Sequence, residues 1–233
     1  MPSNATPSEL QALYRGRFGS GAGYRQAVWR VLISDFFATY ARNAQAVLDL
    51  GCGYGEFINQ VSAPVRYAMD LNPDAALRLG PEVRLLDQDC SSRWALEDEV
   101  LDLVFTSNFF EHLPDKASLA RTLAEIRRCL KPGGRLVALG PNIRFLPGRY
   151  WDFWDHYLPL TERSLAEGLA AAGFGLERVV GRFLPYTMSS GPHYPLFLLR
   201  LYLRLPVLWK VFGRQFLVVA AKAALRTGSP DPG

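Results

Sequence analysis

The amino-acid sequence predicts an α/β fold in which a mostly parallel seven-stranded sheet lies between two layers of helices. Short apolar segments alternate with amphipathic segments along the chain, as they do in parallel sheets with helical crossovers. The apolar segment 47–50 leads into a glycine-rich turn and then into residues 56–58, which begin a predicted helix. A chain of 233 residues can bury one sizeable core, so we expect one domain with an appended cap.

The bulk composition excludes several classes of function. The formal net charge is +4 and the isoelectric point is near 9, too modest a basic excess for a protein that binds duplex nucleic acid. Cys52, Cys90 and Cys129 have no metal-ligand spacing and indicate a reducing compartment. The amino terminus lacks a secretory signal pattern, and no apolar run reaches the roughly 18 to 20 residues that span a bilayer. The composition therefore predicts a cytoplasmic protein without a nucleic-acid partner.

Apolar spacing and capping residues predict the individual elements. The predicted strands are 47–50, 65–70, 83–90 with its exit, 100–105, 135–140, 174–180 and 216–222, the last of them antiparallel at the sheet edge. The predicted helices that connect them are 56–61, 73–79, 118–130 and 164–172. Together these strands and helices alternate as a three-layer fold requires.

The chain divides into three parts. Residues 1–44 are predicted to form an N-terminal helical cap, with helices at about 8–18 and 24–40 separated by glycines that could act as a hinge. The second helix either packs on the sheet or covers a ligand as a lid. Residues 45–226 hold the sheet, and 227–233 form a tail that we expect to be disordered.

An apolar insertion at 181–214 exceeds what the sheet requires. Its central part, 194–210, is predicted to be one amphipathic helix with Arg200 and Arg204 one turn apart among apolar and aromatic residues. Such a helix must bury itself against the body, a second subunit or a lipid surface. Its positively charged side chains, together with a tyrosine and Trp209 near a break, suit the headgroup layer of a membrane. Core packing, a homodimer and peripheral contact with the inner membrane face all stay open.

The turn after the first strand carries Gly51, Gly53 and Gly55. Glycines at alternate positions leave backbone amides uncovered, so that a ligand can approach the main chain. The spacing G-x-G-x-G differs from the G-x-G-x-x-G of pyrophosphate sites, and Asp49 before the turn suits a ligand with an ammonium or sulfonium charge. Asp70 lies 21 residues beyond Asp49, the interval at which a carboxylate meets a ribose.

The segment 47–57 resembles motif I of the class I S-adenosylmethionine-dependent methyltransferases of Rossmann-like fold, of the type 11/12 kind. A helix at 118–130, the motif L-K-P-G-G-R-L, a strand and Pro141-Asn142 resemble a later region of the same family. The resemblance covers about 45–180. It implies a Rossmann-like three-layer sandwich, with S-adenosylmethionine as cofactor and S-adenosylhomocysteine as product.

The resemblance also implies which residues contact the cofactor. The glycine turn and Asp49 would anchor the methionine end, Asp70 the ribose, and Asp89 the adenine amino group, with Asp87 as the alternative to Asp89. Leu71 would lie on the adenine face. The complete set of expected cofactor-binding residues is Asp49, Gly51, Cys52, Gly53, Gly55, Asp70, Leu71, Asp89, Cys90 and Asn108.

Candidate catalytic groups follow the fourth and fifth strands. Glu111-His112-Leu113 resembles quinone-biosynthesis O-methyltransferases, whose related site can hold a metal; Asn108 replaces an additional acid found there, so we expect no metal. His112 is then expected to shape the cofactor pocket. His156, oriented by Asp152 or Asp155, is the preferred general base because histidine titrates near neutral pH. His112 is the alternative base; His156 could instead hold its loop to the sheet, and a mechanism without a base stays open.

Residues 143–160 form the richest aromatic cluster, where the resembled family places substrate-facing loops. Arg144 and Arg149 could bind a phosphate or carboxylate there, and the predicted substrate contacts are Arg149, Tyr150, Trp151 and Trp154. The implied function is O-methylation of a small-molecule, glycan or lipid-linked acceptor. The alternative is a non-catalytic regulator or partner subunit that binds S-adenosylmethionine or S-adenosylhomocysteine. The glycine spacing disfavours an NAD-dependent dehydrogenase.

Overall fold

The computed structural model describes residues 7–18, 21–186 and 193–223, so the predicted disordered tail at 227–233 lies outside the described residues. Within them, seven strands form one sheet in the order β3-β2-β1-β4-β5-β7-β6. The strands are β1 (Ala46–Leu50), β2 (Val65–Met69), β3 (Val83–Leu86), β4 (Leu101–Ser107), β5 (Leu130–Pro141), β6 (Phe174–Val180) and β7 (Gln215–Lys222). This sheet confirms the predicted α/β class.

Only β7 runs against the direction of its neighbours. The pairs β1–β2, β1–β4, β2–β3 and β4–β5 are parallel, whereas β7 is antiparallel to both β5 and β6. The antiparallel last strand is therefore confirmed, but its predicted place at the sheet edge is wrong. The first six residues of β7 are all buried, which requires cover on both faces and a strand on either side. The more exposed β6 takes the edge instead.

Helices cover both faces of the sheet. They are α1 (Pro7–Phe18), α2 (Ala22–Leu32), α3 (Ala38–Ala41), α4 (Lys116–Cys129), α5 (Glu162–Ala171), α6 (Leu196–Arg204) and α7 (Pro206–Phe212). A π-helical turn, Ile33–Phe37, joins α2 to α3, so the second predicted helix is present with one irregular turn. Asp115 caps α4, and Thr161 forms a capping box with Ser164 at the start of α5.

Each face of the central strands has its own core, because successive side chains of a strand point to opposite sides. Val47 and Phe105 pack with Trp29 of α2 on one side. Leu48 packs with Leu123 of α4 on the other side. The carboxyl ends of β1 and β4 are thereby fixed side by side between two packed layers.

Two short predicted helices, 56–61 and 73–79, are turns in the structure. The amide of Val61 donates to Phe57 at 3.1 Å, and that of Leu79 donates to Ala75 at 3.2 Å. These bonds close single turns, and segments this short do not offset the cost of nucleating a helix. The predictions were wrong in element type, although the segments still connect the strands as expected.

The insertion folds as two helices, α6 and α7, instead of the one helix predicted over 194–210. Pro206 lacks an amide hydrogen and stands at the first position of α7, which ends α6 just before it. One side of the pair packs into the core through Tyr202, Leu203 and Trp209.

Trp209 donates from Nε1 to the Tyr202 carbonyl at 2.8 Å, so this indole faces the body and not a headgroup layer. Within the described ranges, none of the helices has the length and apolar character needed to cross a membrane.

Candidate active site

A cavity of about 180 Å³ lies at the carboxyl ends of β1 and β4. This is the edge of a parallel sheet at which ligands bind in open α/β folds. The glycine turn after β1 lines one side of the cavity, and the loops after β4 and β5 line the other. The predicted residues that it brings together are Asp49, Gly51, Cys52, Gly53, Asn108, His112, Arg149 and His156.

The glycine turn has a conformation that other residues would not adopt at low cost. Gly51 has φ +71°, and a Cβ atom there would lie 2.3 Å from the ring of Phe109. The Gly51 amide donates to the Met69 carbonyl at 2.8 Å. The Gly53 amide donates to the Asp70 carboxylate at 2.8 Å, so the end of β2 fixes the turn. The main chain is therefore bare toward the cavity and held rigidly behind it.

Two carboxyl groups stand beside this turn, Asp49 buried and Asp70 half-buried. Asp49 is almost fully buried, and burial, reinforced by the charge of Glu56, raises its pKa well above the usual range. Burial also raises the pKa of Asp70 to about 6, although backbone amides of Asn72 and Gly53 donate to its carboxylate. A bound cation would favour the ionised form of Asp49, and Asp70 keeps lone pairs for hydroxyl donors. These groups fit the ammonium and ribose of S-adenosylmethionine.

Four expected cofactor residues, Asp70, Leu71, Asp89 and Cys90, do not line the cavity itself, and Gly55 lines a neighbouring groove. Asp70 and Asp89 follow β2 and β3, so strand order places them along the same sheet edge as Asp49. The Asp89 carboxylate accepts from the Ser91 amide at 2.8 Å. Their predicted contacts with ribose and adenine remain predictions.

The opposite wall joins the loop after β4 to the loop before α5. The Glu111 carbonyl accepts from the amides of Tyr157 and Leu158, at 2.8 and 3.0 Å. His112 Nδ1 lies 2.7 Å from the Asp155 carbonyl oxygen and 3.3 Å from its carboxylate. The backbone carbonyl requires a proton on Nδ1, which leaves Nε2 of a neutral His112 as an acceptor.

His156 occupies an apolar setting in this wall. Its ring lies 5.1 Å from that of His112 and stacks on Phe153 at 4.9 Å. Within the described part of the chain, its buried Nδ1 has no hydrogen-bond partner. Burial first, and then the nearby His112, lower the pKa of His156 to about 4, so the ring is neutral at pH 7. Asp155 contacts His112 and not, as predicted, His156.

Glu111 is a buried carboxyl group close to both histidines, and its local sequence did not mark it as an acid or base. Its pKa is raised to about 8, chiefly by burial and further by the charge of Asp155. Ligand atoms of Glu111, His112 and His156 lie within 4.8 Å of one another. Two histidines and one carboxylate are ligand types that metals use, and the Asp155 carbonyl at Nδ1 of His112 leaves Nε2 available. The expectation of no metal stays a prediction.

The predicted substrate residues have different positions. Arg149 lines the cavity. Tyr150 is fully buried and donates its hydroxyl to the Leu158 carbonyl at 2.7 Å. Trp151 and Trp154 are 55% and 84% exposed, and neither lines the cavity. A substrate role for Tyr150, Trp151 and Trp154 stays a prediction. In this structure Tyr150 packs in the core.

Several cavity residues were not identified from the sequence. Arg17 and Trp29 come from the N-terminal helices α1 and α2, and Tyr186 comes from the insertion. Arg17 pairs with the Asp155 carboxylate, with Nη1 to Oδ2 at 2.9 Å. No local motif marks these residues, because only the packing of remote segments brings them to the sheet edge. Phe153, in contrast, belongs to the aromatic cluster noted at 143–160.

The chain shares its fold and part of its sequence with known methyltransferases. A family model described as a methyltransferase domain matches residues 22–179. The demethylmenaquinone methyltransferase of Symbiobacterium thermophilum is 29% identical over 150 residues, which cover 58% of this chain and 59% of that protein. The chain thus aligns with about three fifths of the length of this curated relative.

Solved structures show the same architecture. An S-adenosylmethionine-dependent methyltransferase from Archaeoglobus fulgidus superimposes with a TM-score of 0.65 and 20% identity, covering 91% of this chain and 99% of that one. The N-methyltransferase NodS of Bradyrhizobium japonicum, in complex with S-adenosylhomocysteine, gives 0.56 and 14%, covering 85% of each chain. The family model spans more than half of the sequence. The chain therefore belongs to the methyltransferase-domain family, and it has the Rossmann-like fold of the solved S-adenosylmethionine-dependent methyltransferases.

Proposed function

We propose that this chain catalyses methyl transfer from S-adenosylmethionine to an oxygen atom of a small-molecule, glycan or lipid-linked acceptor. The observation that carries the proposal is the shared cavity, in which the glycine turn and Asp49 face His112 and His156. A cofactor-binding site without acid or base groups opposite it would suit a non-catalytic binding protein as well as an enzyme. The arrangement here also supplies a place for the acceptor.

S-adenosylmethionine supplies, when bound, an electrophilic methyl group on a sulfonium. In the transfer the carbon–sulfur bond breaks, its electron pair stays on sulfur, and a carbon–oxygen bond forms. The chain's own task is alignment, which can contribute several orders of magnitude to such a displacement. Asp49 and the amides of the glycine turn would hold the methionine end, and Phe153 and Tyr186 would exclude water from the reacting atoms.

His156 is our proposed general base for the acceptor hydroxyl. It is neutral at pH 7 and buried, and its Nδ1 has no partner among the described residues, so it can accept a proton. His112 is the competing candidate, since the Asp155 carbonyl leaves its Nε2 lone pair available. Arg149 lines the same cavity and could bind an anionic group of the acceptor.

The experiment is methyl transfer from labelled S-adenosylmethionine into a panel of acceptors, including demethylmenaquinone, on which the curated relative is named to act. His156→Ala should lower the rate by about 100-fold or more, and cofactor affinity measured by calorimetry should survive. His193→Ala is the matched control, because His193 stacks on Tyr24 away from the cavity. An unchanged rate in His156→Ala would move the role of base to His112 or to no residue at all.

The alternative is a regulator or partner subunit that binds S-adenosylmethionine or S-adenosylhomocysteine without turnover. The same carboxyl groups at Asp49 and Asp70 would serve such a protein. Cofactor binding with no labelled product from any acceptor would favour this alternative. Failure to bind the cofactor at all would contradict both proposals. A cytoplasmic location and a homodimer remain proposals that cell fractionation and light scattering can test.

A further inference from the structure

The outer face of the insertion is apolar although it lies on the surface. Helices α6 and α7 turn Tyr202, Leu203 and Trp209 into the core, but their opposite side also carries large apolar side chains. We define the outer face as this exposed set: Phe197, Leu198, Leu201, Leu205, Val207, Val211 and Phe212. They are each between 39% and 65% exposed. Soluble domains seldom leave so many neighbouring apolar side chains uncovered without a binding role.

Both helices contribute to the outer face. Phe197, Leu201 and Leu205 follow one another at four-residue spacing, so they form one stripe along α6. Val207 and Val211 repeat the same spacing on α7. Exposed apolar side chains are therefore present on both sides of the break at Pro206.

The two helices of the outer face carry positive charges and no acidic side chains of their own. Residues 193–213 contain Arg200, Arg204 and Lys210 but no aspartate or glutamate. Arg200 pairs with Asp35 at 2.6 Å, which fixes α6 to the π-helical turn. Arg204 and Lys210 are exposed beside the stripe. A partner that covers this face must therefore offer apolar groups together with negative charge.

We propose that α6 and α7 dock on an anionic lipid surface. Exposed apolar side chains and a cationic border suit helices that lie in the plane of a headgroup layer. Both helices are also too short to cross a bilayer. Anionic lipids supply the charge that Arg204 and Lys210 require. A second copy of the chain fits less well, since a two-fold contact would set this cationic face against itself.

One helix, α2, lies between the outer face and the cavity and contacts both α6 and the cavity. α6 packs against α2, and Trp29 of α2 lines the cavity. Lipid binding does not depend on methyl transfer, so the proposal can be tested on its own. Arg200 is not a suitable site for a test variant, because its change would also break the ion pair with Asp35.

The test is flotation of the full chain with two kinds of vesicle, pure phosphatidylcholine and phosphatidylcholine in which part is replaced by phosphatidylglycerol. The chain should float with the anionic vesicles, and added salt should weaken this binding. Arg204→Glu with Lys210→Glu should reduce the bound fraction by about tenfold or more. Lys116→Glu with Arg121→Glu, both exposed on α4, changes the net charge equally and should have little effect.

A second pair of variants tests the apolar contribution. Phe197→Ser with Leu201→Ser should also reduce binding to anionic vesicles, whereas Leu176→Ser with Val179→Ser, exposed on β6, should not. Unchanged S-adenosylhomocysteine affinity verifies folding of each variant. Equal binding to both vesicle types, equal losses in test and control pairs, or no flotation at all would overturn the proposal. A dimer in solution that dissociates only in Phe197→Ser with Leu201→Ser would assign the outer face to a second copy instead.

Discussion

Arg17 of α1 holds the carboxylate of Asp155 through two hydrogen bonds, with Nη1 to Oδ2 at 2.9 Å and Nη2 to Oδ1 at 2.5 Å. The same guanidinium lies 4.9 Å from the centre of the Phe153 ring. Burial opposes ionisation of Asp155, but the hydrogen bonds and the positive charge of Arg17 outweigh it, so the pKa of Asp155 lies below its usual value. The N-terminal cap is thus fixed to the loop of His156 by charge.

Removal of this ion pair should destabilise the fold. Arg17→Met keeps an apolar stem but leaves the Asp155 carboxylate buried without its guanidinium, which should cost about 3 kcal/mol of unfolding free energy. Arg66→Met is a matched control: Arg66 is as well covered as Arg17, at 16% against 18% exposure, but its partner Glu82 is 80% exposed. The control should lose less than about 1 kcal/mol. Urea unfolding at neutral pH measures both, and equal losses would show that the cap does not depend on the pair.

The glycine turn should reject even a methyl group. Gly51→Ala places a Cβ atom 2.3 Å from the Phe109 ring at φ +71°, so we expect a loss of about 2 kcal/mol or more and weaker cofactor binding. Gly168→Ala is the contrasting variant, because Gly168 lies in α5 with no atom within 4 Å of its added Cβ. Better helix propensity should stabilise that variant by about 0.5–1 kcal/mol. Thermal unfolding compares them; stabilisation by both changes would contradict the turn geometry.

The succession of strands along the chain could be predicted because its signals are local. The apolar run of β1 and the glycines after it lie within a few residues of one another, and helix caps such as Thr161 mark boundaries directly. The place of β7 between β5 and β6 was not predictable in this way. Burial on both sides is a property of the assembled sheet, and an apolar run has the same appearance at an edge strand or an inner one.

The same distinction between local and long-range signals applies to the residues of the candidate site. Asp49 lies in the last residues of β1, and Asp70 and the glycines follow strand ends, so local sequence marks them as candidates. Arg17 could not be identified in this way, because its partner Asp155 is 138 residues away in sequence. Tyr150 shows the opposite error: composition marks an aromatic cluster but cannot tell which ring is buried and which faces a cavity.

Stability should depend on pH through Glu111. Its pKa rises from 4.5 to about 8 on folding, mainly because of burial. Between these pH values the folded chain holds a proton that the unfolded chain has released, so stability falls as pH rises, by up to about 1.4 kcal/mol per pH unit. Glu111→Gln resembles the protonated carboxyl and removes this contribution.

As pH rises from 4.5 to 7.5, the free energy of unfolding of Glu111→Gln should therefore increase relative to that of the wild type by roughly 2–4 kcal/mol. Urea unfolding at both pH values measures the difference, in which the contributions of Asp49 and Asp70 cancel. Glu177→Gln, a half-exposed partner of Arg135, should show no such change. A stability difference for Glu111→Gln that stays constant with pH would mean that the carboxyl is ionised in the folded chain.

Cofactor affinity should depend on Asp70. Its two carboxylate oxygens accept from the amides of Gly53 and Asn72, each at 2.8 Å. Asp70→Asn turns one of these acceptors into a donor that faces an amide, and it removes the charged acceptor for a ribose. We expect S-adenosylhomocysteine to bind about 10 to 100 times more weakly, as measured by calorimetry at pH 7.5.

The pH dependence separates a ribose contact from a change of turn shape. Because burial raises the pKa of Asp70 to about 6, the carboxylate gains a proton as pH falls through 6, and wild-type affinity should fall with it. Asp70→Asn cannot titrate there, so its weaker affinity should fall less steeply than that of the wild type from pH 7.5 to pH 5, with Asp49 contributing equally to both. Asp98→Asn, an exposed partner of Arg128, should follow the wild type. Parallel pH curves for Asp70→Asn and the wild type would assign Asp70 to the fold of the turn and remove it from the ribose site.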